Sequence, residues 1–342
     1  MIFRADTLDD ALNPLVSRLL RKGEAILAGK GRAREFTGVL VELSDPRARL
    51  SRTEDRGVLL SHLGETLWYL SGSDRLDHIE YYIPKYREFI KASKRAVKAP
   101  GAYGPRLFGG GEKSQMAELL NTLNRKKGSS DTRQAVAQVF ARSDLRRGNG
   151  DVPCTTTLQF LPRKGRLHMI ATMRSNDVYR GFPGDVFAFT FIQELVARTL
   201  DMEVGTYKHF VGSLHLYDEN VTKALDYLSR GFQTPISMPA MPTGNPWISV
   251  AWLIEVERSI RLGQPEPNAA GIEGYWVDLA RLLRIKVLAK AGDMHRLEQE
   301  KGKMVSPFYG SFIYDRQVTV MRKKETQPEL PGLPATIQER KA

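Results

Sequence analysis

Residues 151–160, Asp151-Val-Pro-Cys-Thr-Thr-Thr-Leu-Gln-Phe160, and residues 174–185, Arg174-Ser-Asn-Asp-Val-Tyr-Arg-Gly-Phe-Pro-Gly-Asp185, decide how this chain is read. Residues 166–174, which lead into the second stretch, alternate as a strand does. Ile170, Thr172 and Arg174 share one face, and Met169, Ala171 and Met173 share the other. Residues 156–161 are predicted as a second strand, and the apolar run 186–200 as a long helix. Cys154 is the only cysteine and stands twenty residues ahead of Arg174. Pairing of the two strands would bring a thiol to a guanidinium.

Outward from this centre, Leu8, Ala11, Leu12, Leu15, Val16, Leu19 and Leu20 follow a helical period. A basic loop is predicted over 29–35, a strand over 36–43 and a helix over 57–70 that stops at Ser71-Gly-Ser73. Residues 91–130 read as loop with short helices, 133–140 and 206–211 as strands, and 275–290 as a helix. Strands and helices mix without regular alternation, so the expected class is α+β. Residues 1–322 are expected to form one domain, and the charged, proline-containing stretch 323–342 a loose tail.

Composition bounds the partners. Hydrophobic residues make up 42% and charged residues 26%, and no apolar run is long enough to cross a bilayer. A single cysteine cannot form an internal disulfide, which fits a reducing cytoplasm. The net charge of +12 suits anions such as nucleotides and polyglutamylated folates. Nucleic acid is the weaker reading, because the basic residues are dispersed and no zinc-finger or RNA-binding signature is present. The histidines lack paired ligand spacing, so no metal is expected. Residues 23–30 do not form a phosphate-binding loop, and no Gly-x-Ser-x-Gly element occurs.

Several side chains carry chemistry by type. A thiolate at Cys154 would be a nucleophile, given positive surroundings. Arg174 beside Ser175 suits a phosphate, through a fork and a hydroxyl. His215 and Tyr217 are two apart and, in an extended segment, point to one side. Glu65, in Leu63-Gly-Glu-Thr-Leu-Trp-Tyr-Leu70, has Ser61, His62, Trp68 and Tyr69 at helical spacing, company in which a carboxyl pKa can rise.

The order Cys154, Arg174–Asp185, Gly212-Ser-Leu-His-Leu-Tyr217 resembles the thymidylate synthase superfamily, which includes the pyrimidine-nucleotide C5 hydroxymethylases. The resemblance implies a mixed sheet packed with helices and a homodimer joined sheet to sheet. It implies that Cys154 adds to C6 of a pyrimidine nucleotide, with Glu65 and Tyr103 beside it, and that 5,10-methylenetetrahydrofolate donates the carbon. Arg174 and Ser175 would hold the phosphate, together with Arg133 of a partner subunit. A further family arginine falls among Lys30, Arg32 and Arg34. His215 and Tyr217 would hold the sugar, and Asp177 and Gly181 the folate.

Two departures bear on the reaction. Asp185 stands where thymidylate synthases carry asparagine; a carboxylate only accepts hydrogen bonds and so suits cytosine. Capping of the helix expected from Val186 is a second reading of the same residue. The family's tryptophan beside the folate is missing, and Tyr86 and Phe89 occupy that segment. Water would then meet the activated methylene instead of hydride. These features imply hydroxymethylation of a cytidylate, dCMP before CMP. The alternatives are a thymidylate synthase or a dUMP hydroxymethylase and, from another class, a nucleic-acid-binding protein that keeps the fold without catalysis.

Overall fold

The computed structural model describes residues 1–51, 59–127, 131–146, 150–231, 234 and 236–313. The tail expected over 323–342 lies outside the described residues, as do the first two residues of the helix expected over 57–70.

Seven strands form one mixed sheet in the order β1-β3-β7-β6-β5-β4, with β2 paired to β3. The strands are β1 (Ile2–Ala5), β2 (Glu24–Ala28), β3 (Gly31–Leu43), β4 (Val136–Gln138), β5 (Thr155–Arg163), β6 (Arg166–Asp177) and β7 (Glu203–Tyr217). β5 and β6 are antiparallel neighbours. β6 and β7 run parallel, so the chain between them must cross over, and α7 (Gly181–Thr199) makes that crossing. The fold is α+β, as expected.

The other helices are α1 (Leu8–Lys22), α2 (Leu59–Leu70), α3 (Leu76–Tyr82), α4 (Tyr86–Phe89), α5 (Tyr103–Leu107), α6 (Gln115–Lys126), α8 (Val221–Ser229), α9 (Trp247–Leu262), α10 (Gly274–Ala291) and α11 (Met294–Gly302). α1 starts where Thr7 accepts from the Asp10 amide at 3.1 Å and donates to the Asp10 carboxylate at 2.8 Å. Its apolar stripe, Leu8 to Leu19, is buried. α7 is buried on all sides, with Phe182, Phe187, Phe189 and Phe191 fully enclosed. Each such ring contributes roughly 1.5–3 kcal/mol. Gln193 ties the helix to the sheet through the Leu167 carbonyl at 2.9 Å. Glu194 pairs with fully buried Arg49 and accepts from the Met241 amide at 2.9 Å.

Four expectations need correction. The basic loop over 29–35 shrinks to a turn at Gly29-Lys30, because residues 31–35 pair with β2, a strand the sequence reading lacked. Arg32 and Arg34 point outward there, while Ala33 faces in. The strand over 133–140 is only β4, and the loop-rich segment contains α6, whose Met116, Leu119 and Leu123 form a buried stripe. α7 begins at Gly181, so Asp185 lies inside the helix and does not cap it. Instead, the Asp177 carboxylate accepts from the Tyr179 and Arg180 amides at 2.7 and 2.8 Å and shapes the turn into the helix.

Candidate active site

Cys154 immediately precedes β5, and β5–β6 pairing sets it beside Arg174: the Arg174 amide donates to the Cys154 carbonyl at 2.8 Å. The Arg174 guanidinium bonds the Pro153 and Val152 carbonyls, each at 2.9 Å, and one nitrogen reaches 3.7 Å from the Cys154 sulfur. Burial pushes the thiol pKa up; Arg174 and Lys30 oppose this and Asp185 adds to it, and burial prevails. The thiol is therefore protonated in the resting site, despite its cationic neighbour.

Three helices bring tyrosines to the same place. The Tyr103 hydroxyl accepts from the Thr155 amide at 3.2 Å, and its ring lies 5.1 Å from that of Tyr69. The Tyr69 hydroxyl donates to Glu65 at 2.8 Å. Tyr86 packs edge-on to Trp68 at 5.4 Å, within electrostatic reach of Glu65, Tyr103 and Cys154. Sequence reasoning had noted Tyr86 only as the place of a missing tryptophan. No spacing signal could have found its neighbours, because α2, α4 and α5 meet only in the fold.

Asp185 and Glu65 share this enclosure. Burial, with Glu65 adding to it, pushes Asp185 up to about 8, against the hydrogen bond that Asn176 donates at 2.6 Å. Burial also raises Glu65, with the Tyr69 bond opposing. α2 packs close to Gly184: a Cβ there would make ordinary contacts, 3.4 Å from the His62 ring and 3.5 Å from a Glu65 oxygen. Burial thus favours the neutral form of both carboxyls, and at Asp185 it does so up to about pH 8.

At the strand ends, register pairs Asp177 with His215 and Ser175 with Ser213. The His215 ring meets the Tyr217 ring edge-on at 4.8 Å. Ser213 in turn bonds Glu35 on β3. Lys30, at the tip of the β2–β3 hairpin, lies 5.6 Å from the centre of the Phe89 ring, and Arg180 lies at the same distance. Of the three early basic residues, Lys30 acts electrostatically on Cys154, and Arg32 pairs loosely with Asp218 at 4.0 Å. Gly181 abuts Asn176. Arg133 is exposed, and within one chain it touches none of these groups. Among the described residues no cluster of three or more His, Cys, Asp or Glu is placed to hold a metal ion.

A half-buried thiol, an adjacent guanidinium and two carboxyls whose pKa burial raises suit covalent addition to an electron-poor ring. Residues 48–246 match the thymidylate synthase family model. The chain belongs to the thymidylate synthase family.

Among its relatives, the deoxyuridylate hydroxymethyltransferase of Pseudomonas phage M6 is 31% identical over 164 residues, 47% of this chain and 45% of the phage protein. The protein of that name from Bacillus phage SP01 is 27% identical over 214 residues, 59% and 55% of the two chains. The chain thus spans about half the length of these two relatives. A putative thymidylate synthase of Methanocaldococcus jannaschii is 25% identical over 239 residues, 68% of this chain and 96% of the archaeal one.

Proposed function

We propose that this chain catalyses folate-dependent C5 hydroxymethylation of a pyrimidine deoxynucleoside monophosphate, with deoxyuridylate as the substrate. The observation that carries the proposal is the convergence of Cys154, Arg174, Asp185 and Glu65 in one enclosure. Cys154 adds through sulfur to C6 of the base, giving up its proton as the bond forms, and Arg174 stabilises the sulfur's charge. C5 then bonds to the one-carbon unit and loses its proton, and the bond from that carbon to the folate nitrogen breaks, releasing tetrahydrofolate and leaving an exocyclic methylene. Water adds to the exocyclic carbon, and the Cys154–C6 bond breaks. The sum is nucleotide plus methylenetetrahydrofolate plus water giving 5-hydroxymethyl nucleotide plus tetrahydrofolate, with nothing oxidised or reduced.

Methylenetetrahydrofolate is the family's co-substrate and supplies carbon at the formaldehyde level. The residues present fit it: one Asp177 oxygen takes the Tyr179 and Arg180 amides, and no hydrogen-bond partner is seen for the other among the described residues. That oxygen would accept from the pterin, beside Gly181. Arg174 and Ser175 would hold the phosphate with Arg133 of a second subunit, and His215 and Tyr217 the sugar. Tyr103 positions the backbone next to Cys154, and Glu65 with Tyr86 borders the water. A sheet-to-sheet homodimer is supported by Phe210, which is exposed on β7. One continuous buried core that reaches Ile313 supports a single catalytic domain over 1–322, of which 314–322 lie outside the described residues, and the need for a reduced Cys154 supports a cytoplasmic location.

The choice of base turns on how the fold encloses Asp185. Asp185 near neutral pH is a carboxylic acid, so it both donates and accepts, as an asparagine amide does. The premise that it only accepts, which favoured cytidylate, therefore loses its force, and the names of the phage relatives tilt the reading to deoxyuridylate. Deoxycytidylate is the second reading, favoured by the presence of an ionisable group where an amide would serve uracil at any pH.

Incubation with dUMP, dCMP or CMP and methylenetetrahydrofolate, followed by mass spectrometry, tests the proposal. The expected product is dUMP enlarged by one formaldehyde unit, with tetrahydrofolate left unoxidised. A methyl product with dihydrofolate would overturn hydroxymethylation, and a product from dCMP alone would overturn the choice of base. Salt-sensitive binding to DNA or RNA, with no C5 hydrogen exchange on any nucleotide, would overturn catalysis.

A further inference from the structure

Asn176 stands at the end of β6, one residue before Asp177, and is 4% exposed. Its amide nitrogen donates to Asp185 Oδ2 at 2.6 Å, while its own oxygen is buried without a hydrogen-bond partner. Gly181 closes the third side, where even a Cβ would approach the amide nitrogen to 3.1 Å. The amide is thus clamped between a strand end and the start of α7, and among the described residues the bond to Asp185 is its one side-chain hydrogen bond.

We propose that Asn176 is a positioning residue that fixes which oxygen of Asp185 carries the proton, and so which pyrimidine is admitted. This deepens the deoxyuridylate reading and rests on it. An oxygen already accepting an N–H is a poorer seat for a proton than a free one, so a neutral Asp185 becomes a carbonyl at Oδ2 and a hydroxyl at Oδ1. The uracil edge presents a donor at N3 and an acceptor at O4; the cytosine edge presents an acceptor at N3 and a donor at N4. A neutral carboxyl with a mobile proton can pair with either edge. A carboxyl whose hydroxyl is pinned pairs with one and opposes the other, leaving buried polar groups unmatched. Asp185 alone therefore does not discriminate; Asp185 with Asn176 does.

Binding of dUMP and dCMP to the full chain, measured calorimetrically in the parent, Asn176→Ala and Asn176→Asp, tests the inference. The dUMP:dCMP affinity ratio should fall by roughly tenfold or more in Asn176→Ala, because the proton is freed. It should fall further in Asn176→Asp, because an acceptor there draws the proton to Oδ2. Titration of Asp185 by carbon-13 NMR gives a second readout, since the Asn176 hydrogen bond opposes the burial that brings its pKa to about 8. The midpoint should move up in Asn176→Ala. Equal losses for both nucleotides at an unchanged ratio would reduce Asn176 to packing and overturn the inference. A midpoint that moved down would place the proton between the two side chains and also overturn it. If the parent turns over dUMP and only the ratio fails to respond, this inference falls alone; if it binds neither nucleotide, the functional reading falls with it.

Discussion

Arg174 presents a guanidinium nitrogen 3.7 Å from the Cys154 sulfur while the same group grips the carbonyls of Val152 and Pro153. The arginine therefore shapes the loop before β5 and sets the charge beside the thiol. Arg174→Gln should shift the pH dependence of Cys154 alkylation to higher pH, because burial would then act with less opposition. Activity should fall by about two to three orders of magnitude, with loss of a charge that acts as the sulfur reacts. Iodoacetamide labelling followed by mass spectrometry reads the first effect without interference, since the chain has one cysteine.

Tyr86 faces the space shared by Glu65, Tyr103 and Cys154. Tyr86→Trp should crowd out water there. We expect hydroxymethyl product to fall about tenfold or more while release of the C5 hydrogen falls much less. Tritium release from labelled dUMP and chromatography of product, run on the same samples, separate the two steps.

Gly64 on α2 lies against the Tyr82 ring, and a Cβ there would fall 2.1 Å from a ring carbon. Tyr82 cannot swing away freely, because its hydroxyl holds Glu257 at 2.9 Å. Gly64→Ala should cost about 1–3 kcal/mol through overpacking, seen as a lower Tm or denaturant midpoint. Unchanged stability would mean that α2 and α3 separate more easily than this packing implies.

Glu257 is pulled by opposing effects. Burial raises its pKa, but His78 at 3.3 Å and the hydrogen bonds that Arg261 donates prevail and hold it below the ordinary 4.5. Its folded pKa lies below the unfolded one, so its contribution to stability is present at neutral pH and fades as acid protonates it. Glu257→Gln should lower stability at neutral pH and flatten its dependence below about pH 4.5. Urea titrations of parent and variant across that range give the comparison.

Much of this arrangement was legible in the chain. Alternation in residues 166–174 was enough to forecast β6, and the spacing from Cys154 to Arg174 was enough to expect a thiol beside a guanidinium. Patterns fail where the cause is long-range. β2 is weakly marked because it lies outside the main strand order, and only pairing with residues 31–35 makes it a strand. The acidity of Asp185 was misjudged for the same reason: a carboxyl's pKa depends on what encloses it, and Glu65 comes from a helix far away in sequence. Asn176 was in plain view within the quoted motif, yet a short polar residue at a strand end looks like any other until its partner is seen.

α7 fills the centre of the molecule for most of its length and bears Asp185 one turn from its start. A stiff rod thus runs from the protein's buried interior to the point where a base would be read. Repacking around Leu195 or Val196, far from any ligand, would shift that rod by fractions of an ångström at its reading end. Such variants should lose discrimination between nucleotides before they lose the ability to fold.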